Sequence, residues 1–219
     1  MKINFLGDSI TRGAGLENPA DKYSTVVATY FGAEECNYGV GGTRIARQRN
    51  CINDYDENVF IHRAMQMEKN ADFTFVFGGT NDYGHGDVKL GCFDDRDVYT
   101  FYGAFHELIA YMVSSFPKER LCFVLPIPRY NQDNPRGEGG IKQEPVGDLF
   151  TYIEAEKQVL AYYGVEFLDL SDKFYVPTAP NSSKLFLDGL HPNTAGHQVI
   201  ADSLIAYLKN KFLQSIDKR

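Results

Sequence analysis

Five short apolar segments, at 2–6, 35–38, 73–77, 121–125 and 165–168, alternate with stretches of helical period. This alternation constrains the fold more than any other feature of the chain. Four of them run almost continuously apolar, as strands covered on both faces do, while 35–38 is weaker and takes its assignment from its position. Between them lie apolar stripes at helical spacing. Tyr23, Val26, Val27, Tyr30 and Phe31 form one, closed by Gly32. Phe105, Leu108, Ile109 and Met112 form a second, entered from the acidic cluster 94–97 and stopped near Pro117. Leu149, Tyr152, Ile153, Leu160 and Tyr163 form a third, ending at Gly164. Val199, Ile200, Leu204, Ile205, Leu208 and Phe212 form the last, capped by Asn193 or Thr194, and a weaker helix is expected over 57–68. Strand–helix alternation implies right-handed crossovers and a parallel sheet between two helical layers. The expected fold is therefore α/β, a three-layer α/β/α sandwich with a five-stranded parallel sheet, in one domain over residues 1–219. The chain shows no internal repeat and no interdomain linker.

Bulk properties narrow the function classes. A net charge of −7, with no basic tail, argues against a nucleic-acid partner. No stretch approaches the length of a membrane span, and the apolar run at the amino terminus is too short for a signal sequence, so a cytoplasmic location is expected. Cys36, Cys51, Cys92 and Cys122 are far apart and make no CxxC pair, so no metal site is expected from them. A Cys51–Cys92 disulfide stays open beside the simpler reading of reduced thiols. The acidic group Asp94, Asp95 and Asp97 lacks the alternation and glycine of a calcium loop.

Chemistry concentrates in four separated segments: GDSIT at 7–11, NYGVGGT at 37–43, GGTND at 78–82 and DGLHPN at 188–193. The first three each follow an expected strand, and parallel strands end on one edge, so these loops should converge. The fourth precedes the last helix and can reach the same edge. A serine hydroxyl needs a base to attack, and His191 can take the proton of Ser9. Asp188, three residues before His191, can hold the other ring N–H and stabilise the imidazolium. The oxyanion of a tetrahedral intermediate needs preorganised donors, which the N–H groups of Ser9 and Gly42 and the amide of Asn81 can supply. No cofactor is required by this chemistry. Asp8 and Asp82 read as residues that hold turns.

These segments resemble the sequence blocks of the SGNH hydrolases, the GDSL-type esterases and lipases. The first block here carries Ile10 where the family's namesake has Leu. The resemblance spans residues 7–193 in the family's order and implies a flavodoxin-like sandwich. It implies Ser9 as nucleophile, Gly42 and Asn81 as partners in the oxyanion hole, and Asp188 and His191 as the rest of the triad. Gly39, Gly41 and Gly42 compete within the second block, and Gly42 is chosen because it precedes Thr43.

The expected activity is a cofactor-independent serine esterase acting on a small-molecule acyl ester, with a short or acetyl chain on a carbohydrate preferred. Lysophospholipase, thioesterase and acyltransferase action remain alternatives on the same triad. A flavodoxin-like nucleotide- or flavin-binding module is a remoter one, which leaves Asn81, Asp188 and His191 unexplained. His85 and Arg44 are candidate substrate contacts, set against the plainer readings of a loop polar group and a solvated helix face. The long irregular stretch 126–146 follows the fourth strand and reads as a substrate-facing loop or a mobile surface excursion.

Overall fold

A computed structural model of the chain describes residues 1–49, 58–86, 88–181 and 183–216. Its sheet has the strands β1 (Lys2–Gly7), β2 (Glu34–Gly39), β3 (Phe73–Phe77), β4 (Leu121–Val124) and β5 (Glu166–Leu168) in the order β2-β1-β3-β4-β5. Every pairing is parallel. The helices are α1 (Ser9–Arg12), α2 (Tyr23–Phe31), α3 (Phe60–Met65), α4 (Thr80–Gly84), α5 (Phe101–Ser115), α6 (Leu149–Tyr163) and α7 (Thr194–Ile216).

Alternate residues of the central strands feed two separate cores, which is why those strands read as continuously apolar. Leu6, Val76, Leu121 and Phe123 pack under α3, α5 and α6. Ile3, Phe5, Phe73, Phe75, Phe77, Cys122 and Val124 pack under α2 and α7. The sheet is thus the middle of three layers, as the alternation implied. The weak second strand is weak because β2 lies at the sheet edge and none of its residues is fully buried.

Three local differences from the sequence reading have simple causes. The α5 helix begins not at the acidic cluster but at Thr100, whose Oγ1 accepts from the Gly103 N–H at 3.1 Å. Asp95 and Asp97 instead accept from the backbone N–H groups of Cys92 and Tyr99, turning the chain before that helix. The α3 helix ends at Met65, short of the expected 68, and its expected start at 57 lies outside the described residues. The α1 and α4 helices span 4 and 5 residues, too short to show a period, and both follow a strand directly. Asn193 rather than Thr194 caps α7, accepting from the Gly196 N–H at 3.0 Å.

The register aligns the strand ends in one row, with Gly7 beside Gly39 and Phe77, and Phe77 beside Val124. Because β2 and β3 lie on opposite sides of β1, the chain leaves β1 and β3 at a point where the strand order reverses. Open parallel sheets form their ligand crevice at such a point.

Candidate active site

Ser9 is the first residue of α1, two residues past the end of β1. Asp8 fixes this corner: its Oδ1 accepts from the Ile10 N–H at 2.9 Å, and its backbone carbonyl accepts from the Arg12 N–H. Ser9 is buried, with 7% exposure. Burial pushes the Asp8 carboxyl up to about 6, against the lowering effects of the Ile10 N–H and the Arg63 charge.

The loop before α7 brings His191 to Ser9. Its stem is held by the Leu187 N–H to the His191 carbonyl at 2.8 Å and the Asn193 N–H to the Leu185 carbonyl at 2.9 Å. Within it, Asp188 Oδ1 accepts from the N–H groups of Leu190 and His191 at 3.0 and 2.8 Å, and Oδ2 faces His191 Nδ1 at 2.7 Å. Nε2 of the same ring lies 3.0 Å from Ser9 Oγ. Partial burial raises the Asp188 carboxyl, but the bonds from His191 and Leu190 outweigh it and leave the group below the usual carboxylate range. An ionised Asp188 fixes the ring proton on Nδ1 and leaves Nε2 to accept from the serine.

The second and third loops are tied to one another, and the second to the end of β1 through the Val40 N–H on the Gly7 carbonyl at 3.1 Å. Asn81, on α4, donates from Nδ2 to the Thr43 carbonyl at 2.9 Å and so ties the two loops together. Asp82 accepts from the N–H groups of Ile45 and Ala46 at 3.0 and 2.9 Å, fixing the chain just past Thr43. Burial raises Asp82 to about 6 despite those bonds. The competing glycines separate by environment. Gly39 packs against α1 so closely that a Cβ would stand 2.4 Å from the Arg12 backbone nitrogen. Gly41 lies under the Arg12 guanidinium, 3.2 Å from the place of a Cβ. Gly42 has φ 75°, a left-handed conformation that favours glycine and turns the chain into Thr43.

Arg44 and His85 face one another, with Nη1 2.7 Å from Nδ1, and His85 Nε2 lies 3.2 Å from Asn81 Oδ1. Arg44 is 7% exposed and sits in a turn region rather than on a solvated helix face. Burial, with the charges of Arg44 and Arg129, lowers His85 to about 4.

Arg63 was not legible as a site residue. It donates to the carbonyls of Gly7, Tyr38 and Asn58 and to Thr43 Oγ1, joining the ends of β1 and β2 to the second loop. Nothing but its place in a weak amphipathic stretch could have marked it. The stretch 126–146 is packed onto the fold rather than a loose excursion. Arg129, Gln132 and Lys142 are buried within it. Arg129 donates to the Thr80 carbonyl and hydroxyl, and Lys142 to the Asp82 carbonyl, bolting the segment onto α4. Tyr130 reaches the loop that carries Asp188 and His191, donating its N–H to the Gly189 carbonyl at 2.8 Å.

Two further histidines are structural. His197 is fully buried, stacked on Tyr23 and accepting from its N–H at Nδ1. His106 is buried against Phe93. Cys122 is buried, Cys36 partly exposed and Cys92 exposed, while Cys51 and Asp87 lie outside the described residues. Among the described residues no cluster of His, Cys, Asp and Glu could hold a metal ion, and no helix is long and apolar enough to cross a membrane.

Comparison with known proteins agrees with this architecture. A structural-genomics protein from Lactobacillus plantarum superposes with a TM-score of 0.77 at 29% identity, covering 95% of this chain and 96% of that one. A lipase/acylhydrolase from Enterococcus faecalis gives 0.62 at 17% identity, covering 96% of each chain. An acetyl xylan esterase gives 0.63 at 20% identity, covering 94% and 99%. At the two lower identities the likeness is one of fold. No curated protein matches the chain. The sequence profile of the GDSL-like lipase/acylhydrolase family matches residues 5–199, and the chain belongs to that family.

Proposed function

We propose that the protein is a serine ester hydrolase working through an acyl-enzyme on Ser9. The observation that carries this reading is the unbroken line Asp188 Oδ2, His191 Nδ1, His191 Nε2, Ser9 Oγ, with steps of 2.7 and 3.0 Å. His191 takes the Ser9 proton at Nε2 as Oγ attacks the ester carbonyl, and Asp188 stabilises the imidazolium. The oxyanion is met by the N–H groups of Ser9 and Gly42 and the Nδ2 of Asn81. His191 then gives its proton to the leaving alkoxide. A water, activated by the same nitrogen, releases the acid and restores Ser9.

The preferred substrate is a short acyl ester, acetyl first, on a polar alcohol such as a carbohydrate. The rim supports this: half-exposed Tyr130 packs on the catalytic loop and exposed Arg12 lies on Gly41, groups that suit hydroxyl-bearing rings better than a second acyl chain.

The test is hydrolysis of p-nitrophenyl esters from acetyl to palmitoyl, and of an acetylated sugar, by wild type and Ser9→Ala in parallel. Cleavage confined to wild type and best for acetyl is expected. A long-chain optimum would move the assignment to lysophospholipase or thioesterase action, transfer to an added sugar would make it an acyltransferase, and equal cleavage by Ser9→Ala would overturn it.

A further inference from the structure

Asn81 carries two donor hydrogens and one acceptor oxygen, and its usefulness to an oxyanion depends on which way the amide faces. The amide sits in a line of polar groups whose two ends are single-valued. The Thr43 carbonyl, 2.9 Å from Nδ2, can only accept. At the other end of the line stands Arg44, whose guanidinium can only donate, 2.7 Å from His85 Nδ1. His85 Nδ1 is therefore the acceptor, and the proton of a neutral imidazole lies on Nε2, aimed at Asn81 Oδ1 at 3.2 Å. His85 follows Asn81 by four residues, the spacing that puts two side chains on one helical face, and its own N–H bonds the Asn81 carbonyl at 3.0 Å.

We propose that His85, oriented by Arg44, is a positioning residue that locks the Asn81 amide with one N–H free for the oxyanion. This inference rests on the role proposed above for Asn81. The line Arg44 to His85 to Asn81 to Thr43 runs donor to acceptor at every step, so each bond polarises the next in the same sense. Withdrawal of charge at Oδ1 makes Nδ2–H a better donor, and the flipped amide, which would turn Oδ1 toward the oxyanion, loses both partners. Burial and the Arg44 and Arg129 charges keep the ring neutral, which the single proton on Nε2 requires.

The experiment compares kcat and KM for p-nitrophenyl acetate in wild type, His85→Ala, His85→Gln, His85→Glu and Asn81→Ala. His85→Ala lowers kcat by about 10- to 100-fold with KM nearly unchanged, part of the loss expected for removing an oxyanion donor outright. His85→Gln recovers most of the rate, because one amide can accept from Arg44 and donate to Asn81. His85→Glu can pair with Arg44 and fold, yet offers Asn81 no proton, so its rate stays as low as that of His85→Ala. A role in packing alone would rank the variants by stability and would not separate Gln from Glu. Nitrogen-15 NMR of the imidazoles supplies a readout besides activity: His85 shows a pyridine-type Nδ1 and a pyrrole-type Nε2.

Full kcat in His85→Ala or His85→Glu, with Asn81→Ala impaired, overturns the positioning role alone. Full kcat in Asn81→Ala overturns the oxyanion assignment and this inference with it. The opposite tautomer in the NMR spectrum overturns the relay whatever the rates.

Discussion

His191 Nε2 lies 3.0 Å from Ser9 Oγ although the two residues are 182 positions apart in the chain. The distance is set from both sides by carboxylates that cap their own loops. Asp8 fixes the corner on which Ser9 stands, and Asp188 binds two N–H groups of the loop that carries His191.

Asp188→Asn should separate geometry from protonation. Its Oδ1 can still accept from the Leu190 and His191 N–H groups, so the loop keeps its shape and the amide turns NH₂ toward His191 Nδ1. Nδ1 becomes an acceptor and the ring proton moves to Nε2, where it faces Ser9 and cannot accept. A loss of about 10⁴-fold in kcat is expected, with the melting temperature nearly unchanged. Activity within a factor of about ten of wild type would show that Asp188 does not set the tautomer.

Asn81→Ala should lower kcat for acetyl esters by about 100- to 1,000-fold, with a much smaller change in KM. The same change leaves the buried Thr43 carbonyl and His85 without their partner, at a cost of about 1–3 kcal/mol in chemical denaturation. The two readouts are separable because the fold is assayed without substrate. A stability loss with unchanged kcat would make Asn81 a tie between loops and nothing more.

The layers, the strand count and the convergence of four loops could be read from periodicity because the central strands are covered on both faces. Ser9 and Asn81 stood out in turns after strands, and Asp188 and His191 in the turn before the last helix, because acyl transfer needs those residue types brought to one edge. What could not be read depends on tertiary approach. Nothing in the spacing of Arg44 and His85 says that a guanidinium will meet an imidazole and set its tautomer. Arg129 and Lys142, in a segment rich in turn residues, carry no periodic signal, yet both are buried against α4. The α1 and α4 helices escape for the same reason: a single turn has no period.

Arg63→Met should show how far one buried cation holds the site's backbone together. Its guanidinium serves carbonyls of β1 and β2, the Thr43 hydroxyl and the Asn58 carbonyl, and it is 5% exposed. Methionine fills similar space and leaves those acceptors unpaired, so a loss of roughly 3 kcal/mol or more is expected in urea denaturation. Arg63→Lys should recover little, since a single ammonium cannot reach a fork of acceptors. Full recovery with lysine would mean that charge beside Asp8, not the bonding pattern, is what Arg63 supplies.

His197→Gln should change how stability responds to acid. Burial lowers the His197 imidazole to about 4, against an ordinary value of 6.5, so the folded ring stays neutral where the unfolded one takes a proton. A depressed base stabilises the fold fully above 6.5 and loses that contribution as the pH falls toward 4. Glutamine can keep the acceptor for the Tyr23 N–H but has no proton to gain, while Asp8, Asp82 and His85 titrate alike in both proteins and cancel from the comparison. The variant should be the less stable at about pH 7.5, having lost the stacking on Tyr23, and should gain on wild type by about 3 kcal/mol as the pH approaches 4. Urea denaturation of both proteins across that range measures the gap. A gap that does not change with pH would mean that the folded protein protonates His197 as readily as the unfolded chain does, its unpartnered Nε2 then finding a partner on Asp21, the acidic group whose charge favours that form.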